Sequence, residues 1–68
     1  MRIISNMRDE FFGTHKGHNV LIERENDGRF YIRVWSIASG SHAYDGYAPK
    51  TITTMAEAKR EALKGAKL

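Results

Sequence analysis

The tripeptide Asn26-Asp27-Gly28, set between two runs of alternating side chains, constrains this chain more than any other feature. His18-Asn19-Val20-Leu21-Ile22-Glu23-Arg24-Glu25 precedes it and Arg29-Phe30-Tyr31-Ile32-Arg33-Val34-Trp35-Ser36 follows it. Both runs are rich in β-branched and aromatic residues, and the second alternates strictly, so the pair reads as an antiparallel hairpin. Two loop lengths compete. A two-residue Asp27-Gly28 loop sets Glu23 opposite Ile32 and Glu25 opposite Phe30, which drives acid into the apolar face. A three-residue loop, a type I turn closed by Gly28 in the left-handed region, pairs Val20 with Val34, Ile22 with Ile32 and Glu25 with Arg29. The apolar pattern selects the three-residue loop. One face then carries Val20, Ile22, Phe30, Ile32 and Val34; the other carries Leu21, Glu23, Glu25, Arg29, Tyr31, Arg33 and Trp35.

Downstream, Ala38-Ser39-Gly40-Ser41 is a turn signal, and His42–Tyr47 returns as a short third strand that Pro49 ends. Gly46 weakens that strand or marks a bulge. Thr54-Met55-Ala56-Glu57 has the form of a capping box, in which the threonine hydroxyl and the glutamate carboxylate each satisfy a backbone N–H. A helix follows from Met55 to about Lys64, with Gly65 as its left-handed cap. Met55, Ala58, Ala62, Leu63 and Ala66 form a narrow stripe of mostly small residues suited to lying close on a sheet. Upstream, Arg2-Ile3-Ile4-Ser5 is either an edge strand or a disordered lead, and Gly13-Thr14-His15-Lys16-Gly17 reads as a loop. Phe11 or Phe12 must join the core, because two adjacent exposed phenylalanines invite aggregation.

These elements predict an α+β fold: an antiparallel sheet of three strands, or four with an N-terminal contribution, with one C-terminal helix packed on one face. Residues 1–17 are expected to be irregular or partly ordered, 18–47 a β-meander and 54–65 the helix. The expected core is Val20, Ile22, Phe30, Ile32, Val34, Met55, Ala62 and Leu63, with one of the two phenylalanines.

Size limits what such a core can supply. With 68 residues the chain is one domain, and it buries only about 60% of the surface its unfolded form exposes. It has no cysteine, hence neither a disulfide framework nor a thiolate metal site. Self-association is one remaining route to extra stability. No apolar run approaches the roughly 20 residues of a membrane span, and the start lacks the apolar stretch of a signal peptide. The expected location is the cytoplasm, with no membrane partner. The net charge of +3 and a pI near 9.5 favour polyanionic partners mildly.

The comb Arg29-Tyr31-Arg33-Trp35 is the most suggestive group of residues. A strand presents all four on one surface at about 6.6 Å intervals, where cations can meet phosphates and flat rings can stack on bases. The competing reading is an ordinary solvated face, with Glu23 and Glu25 on the neighbouring strand pairing with the arginines. Tyr44 and Tyr47 flank a turn-like Asp45-Gly46; beside Trp35 they would make an aromatic patch of the kind that anchors protein interfaces.

Other chemistry finds little support. His15, His18 and His42, with Asp9-Glu10 upstream, offer zinc-compatible ligands, but no H-E-x-x-H helix is present and the spacing is unspecific, so no metal and no cofactor are expected. No cysteine nucleophile, G-x-S-x-G elbow or phosphate-binding loop occurs, and a water-excluding pocket is hard to build in so short a chain. No small-molecule substrate and no enzyme activity are expected.

Asp27-Gly28-Arg29-Phe30-Tyr31-Ile32-Arg33-Val34, a Gly-containing turn, a third strand and Thr54-Met55-Ala56-Glu57-Ala58-Lys59 together resemble the small DNA-binding domains of the AP2-like and phage-integrase arm-binding type. The resemblance covers roughly residues 20–64. It implies a three-stranded sheet laid in the major groove, with Arg29, Tyr31, Arg33 and Trp35 in contact with DNA. The sequence therefore predicts a non-enzymatic binding module. The partner expected first is nucleic acid, reached through the comb; the alternative is a protein, reached through the same surface with Tyr44 and Tyr47. That protein is either a second copy in a homodimer or a larger target that the chain modulates.

Overall fold

Alternating side chains extend further towards the N-terminus than the hairpin alone suggests, and the sheet grows with them. The computed structural model describes residues 1–68 and contains β1 (Arg2–Asn6), β2 (Glu10–His15), β3 (His18–Arg24), β4 (Phe30–Ser36), β5 (His42–Tyr47) and α1 (Met55–Gly65). The strands form one antiparallel sheet in the order β1-β2-β3-β4-β5, so every strand pairs with its neighbours in sequence.

The central hairpin has the three-residue turn. Val20 faces Val34 and Ile22 faces Ile32. The Glu25 N–H donates to Arg29 O at 2.7 Å, and the Gly28 N–H donates back to Glu25 O at 2.9 Å. Gly28 sits at φ +87°, a region that costs other L-residues free energy. Asp27 Oδ1 accepts the Arg29 N–H at 3.0 Å and locks the turn's exit.

The sheet has five strands, not three or four, and residues 1–17 are regular rather than irregular. Gly13, Thr14 and His15 belong to β2. Only Lys16 and Gly17 turn the chain, both at positive φ (47° and 76°), the pattern of a two-residue type I′ hairpin. Lysine is an uncommon first residue for that turn, which is why the segment reads as a loop in the sequence. Pairing Phe11 with Ile22 sends Phe11 into the core and Phe12 to the opposite face. Arg2–Asn6 is an edge strand with a bulge between Ile3 and Ser5. In β5 the irregularity falls between Tyr44 and His42, not at Gly46, which pairs regularly with Ile32.

The core comprises Phe11, Val20, Ile22, Phe30, Ile32, Val34, Ala48, Ala58 and Ala62. The helix meets β3, β4 and β5 through Ala58 and Ala62, whose small side chains let it approach closely. Met55 and Leu63, expected inside, flank that contact and remain partly exposed, while Ala48 and Ala58 complete the interior. Ile3 and Ile4 on β1 lie beyond the helix and are exposed.

Both helix ends are closed by local bonds. Thr54 and Glu57 form the reciprocal capping box: the Glu57 N–H donates to Thr54 Oγ1 at 3.2 Å, and the Thr54 N–H donates to Glu57 Oε1 at 3.1 Å. The Thr53 N–H also donates to Glu57 Oε1, at 3.2 Å, and this bond, followed by those from the Thr54 and Thr53 hydroxyls, holds the Glu57 carboxyl below the usual carboxylate range. At the other end Gly65 is helical rather than left-handed. A Cβ there would overlap the Tyr44 ring, so the position is small for packing reasons. The left-handed residue is Lys67 (φ 59°). Its N–H reaches Lys64 O at 3.1 Å and the Leu68 N–H reaches Leu63 O at 2.8 Å, which is a Schellman closure.

Two stability changes follow from this packing. Ile32→Ala empties a fully buried site between the helix and the middle of the sheet and is expected to cost about 2–5 kcal/mol in urea-unfolding experiments, enough to unfold much of a chain this small. Lys67→Gly relieves the left-handed strain at the helix end and is expected to raise stability by about 0.5–1 kcal/mol in the same assay.

Candidate functional site

The face of the sheet opposite α1 is built by parity. With Ile32 and Val34 buried, the β4 alternation places Arg29, Tyr31, Arg33 and Trp35 together on the outside. Register brings Tyr47 opposite Tyr31 and Asp45 opposite Arg33 on the same face. Tyr44 is not part of it. Its pairing with Val34 turns it to the helix side, where its hydroxyl donates to Glu61 Oε2 at 2.9 Å.

The polar members of this face engage one another. Tyr31 donates to Asp45 Oδ1 at 2.7 Å, and Tyr47 donates to Glu25 Oε1 at 3.1 Å. The two rings meet edge to face at 4.9 Å between centroids. The Arg29 guanidinium lies 4.4 Å from the Tyr47 centroid and that of Arg33 lies 5.5 Å from the Tyr31 centroid, within cation–π reach. Arg33 also pairs with Glu23 at 3.6 Å; both side chains are 47% exposed, so the pair orients more than it stabilises.

Beside this cluster runs an apolar ledge. Phe12 on β2 stacks towards Trp35 on β4 with centroids 6.4 Å apart, and Leu21 is the cross-strand neighbour of Phe12 between them. His42 continues the row, 6.0 Å from Trp35. The β5 bulge makes this possible, because it brings His42 rather than Ala43 opposite Trp35. Glu10, Phe12, His42 and Asp45 are members of the face that the sequence alone does not place there. Phe12 becomes legible only once Glu10–His15 is recognised as a strand, since adjacent residues of a strand point to opposite faces.

Charge is divided between the two sides of the molecule. The outer face carries Glu10, Glu23, Glu25 and Asp45 against Arg2, Arg29 and Arg33. Residues 1–49 contain equal numbers of cations and anions, so the net +3 resides in residues 50–68, as Lys50, Lys59, Arg60, Lys64 and Lys67 against Glu57 and Glu61. The basic side is the helix side.

The histidines are dispersed. His15 and His18 flank the β2–β3 turn, with His18 Nδ1 donating to Lys16 O at 3.0 Å, whereas His42 sits beside Trp35. Partial loss of solvent, then the N-terminal ammonium and Lys16, hold His15 below its ordinary value, which favours the neutral ring. No three His, Asp or Glu side chains converge as a metal site would require. No helix is long and apolar enough to cross a membrane.

No family model, curated protein or solved structure matches this chain. Nothing in these comparisons bears on the resemblance to AP2-like and integrase arm-binding domains, and β1 and β2 lie outside the three-stranded pattern it implies.

All three tyrosines resist ionisation. Burial, followed by the Glu61 carboxylate, pushes Tyr44 up to about 12; the bonds to Asp45 and Glu25 raise Tyr31 and Tyr47. A group whose folded value is raised contributes stability that is complete below its unfolded value, near pH 10, and is lost as pH rises through the folded value. Stability followed by circular dichroism is thus expected to fall between pH 10 and about 12. In the same window phenolate absorbance should show one late-titrating tyrosine that Tyr44→Phe removes.

Proposed function

We propose that this chain is a non-enzymatic binding module that docks a protein partner through the sheet face opposite α1. The observation that carries this reading is the pairing of the comb with acids of its own face. Glu23 holds Arg33, and Asp45 and Glu25 hold the tyrosine hydroxyls. A phosphate backbone approaching this surface meets more carboxylates than guanidinium groups, the reverse of an electrostatic footprint for nucleic acid. A protein surface offering cationic and apolar side chains meets complementary charge and an aromatic ledge that is already ordered.

Ordering matters for affinity. Rings held by hydroxyl bonds and edge-to-face contact lose little freedom on binding, and Trp, Tyr and Arg are the residues that dominate interface energies. Trp35 flanked by Phe12 and Leu21 is the natural anchor. A second copy of the chain is disfavoured as the occupant, since two acidic faces repel, so the partner is a different protein.

The test uses the intact chain as bait, with photo-cross-linking to place the contact. Trp35→Ala is expected to weaken capture by roughly tenfold or more, with Arg33→Ala changing it far less in physiological salt. Cross-links should fall on β2–β5 of the outer face. In parallel, mixed-sequence duplex and single strands titrated at low salt should leave Trp35 fluorescence without a saturable change. A titration that does saturate, with a log–log salt slope of roughly −3 to −5 that Arg33→Ala makes shallower by about one, would replace this reading with nucleic-acid binding.

A further inference from the structure

At the end of the sheet, where the β3–β4 turn meets the segment linking β5 to α1, lies a cleft of about 520 Å³. Arg24, Arg29 and Lys50 line it together with Asp27, while Ala48 and Ile52 supply apolar wall. Three basic residues and one acidic residue thus border the cleft. That carboxylate is committed to the turn, where Asp27 Oδ1 accepts the Arg29 N–H at 3.0 Å.

The cations are poorly neutralised. The fold contains two ion pairs, Arg24 with Asp9 and Arg33 with Glu23, so Arg29 and Lys50 have no counter-ion. Arg24 is only partly compensated: its Nε lies 3.3 Å from Asp9 Oδ1 but is not aligned for a hydrogen bond. The Nε atoms of both arginines are shielded from water and donate to nothing. Each guanidinium is held against a ring, Arg24 at 4.6 Å from the Phe30 centroid and Arg29 at 4.4 Å from that of Tyr47. Stacking fixes the planes in advance, so little orientational freedom remains to be lost when an anion binds.

We infer that this cleft binds a phosphate group, with Arg29 and Lys50 as its direct ligands and Arg24 adding positive potential. A dianion with several acceptor oxygens suits a planar guanidinium fork beside a mobile ammonium better than a single carboxylate does. The cavity exceeds the size of the group alone, and the surface of Ala48, Pro49 and Ile52 is available to the body of an esterified ligand. The site lies at the sheet's end and involves neither Trp35 nor Phe12; Arg29 is the one comb residue it shares with the protein-docking face, and Lys50→Gln tests it without touching that face.

The experiment is a nitrogen–proton NMR titration of the full chain with inorganic phosphate, adenosine monophosphate and acetate at matched ionic strength, alongside thermal melting. Saturable shifts at Gly28, Lys50, Thr53 and the Arg29 side chain are expected with both phosphates, with a higher melting temperature. Lys50→Gln, an exposed change that leaves the core untouched, should weaken binding at least roughly fivefold, and Arg29→Gln should do the same. Tighter binding of the nucleotide assigns an esterified ligand; equal or tighter binding of inorganic phosphate assigns the free ion. Shifts that never saturate, that persist unchanged in Lys50→Gln, or that acetate reproduces equally would overturn the inference.

Discussion

The register of β3 against β4 is the constraint on which everything else in this molecule rests. Because side chains alternate with a period of two, a slip of one residue would expose Ile22 and Ile32 and bury their charged neighbours. The Gly28 turn prevents this by closing three residues with a left-handed position and two backbone bonds. Once that pairing is set, β2 and β5 inherit their parity from it. Phe11 then points inward and Phe12 outward, and Tyr31, Arg33 and Trp35 are placed beside Asp45 and Tyr47.

Packing of α1 converts the two-sided sheet into a molecule with two different surfaces. The alanine stripe lets the helix settle on β3–β5, and the tyrosine ring of β5 requires a residue without a side chain at position 65. The same helix brings most of the uncompensated positive charge to its own side. What remains on the open face is an aromatic surface with an acidic balance. Net charge summed over the chain conceals this division, which is why a pI near 9.5 says little about the surface that is free to bind.

The polar contacts of the open face are individually weak. The Arg33–Glu23 pair is half exposed, and the tyrosine bonds compete with water. Their effect is geometric: they hold rings and guanidinium groups in one arrangement and use up the donors that a phosphate backbone would need. At the end of the sheet, Arg29 and Lys50 line one cleft and neither has a carboxylate partner.

The sequence by itself determined the features governed by local physics. The three-residue turn, the strand alternation of β3 and β4, the capping box and the identity of most core residues are all consequences of contacts within a few positions. Arg29, Tyr31, Arg33 and Trp35 share a face because they alternate along one strand. The tertiary structure alone decided what depends on neighbours distant in the chain. That Glu10–His15 is a strand rests on pairing with β3, because the Lys16-Gly17 turn carries no strong signal of its own. Tyr44 parts from Tyr47 by alternation, three residues apart on one strand, and it is the pairing with β4 that decides which of them faces the helix. Gly65 is dictated by a ring from β5, and the left-handed residue falls instead on Lys67. The acidic balance of the open face and the cationic cleft also arise from register, since charge acts through space and not along the chain.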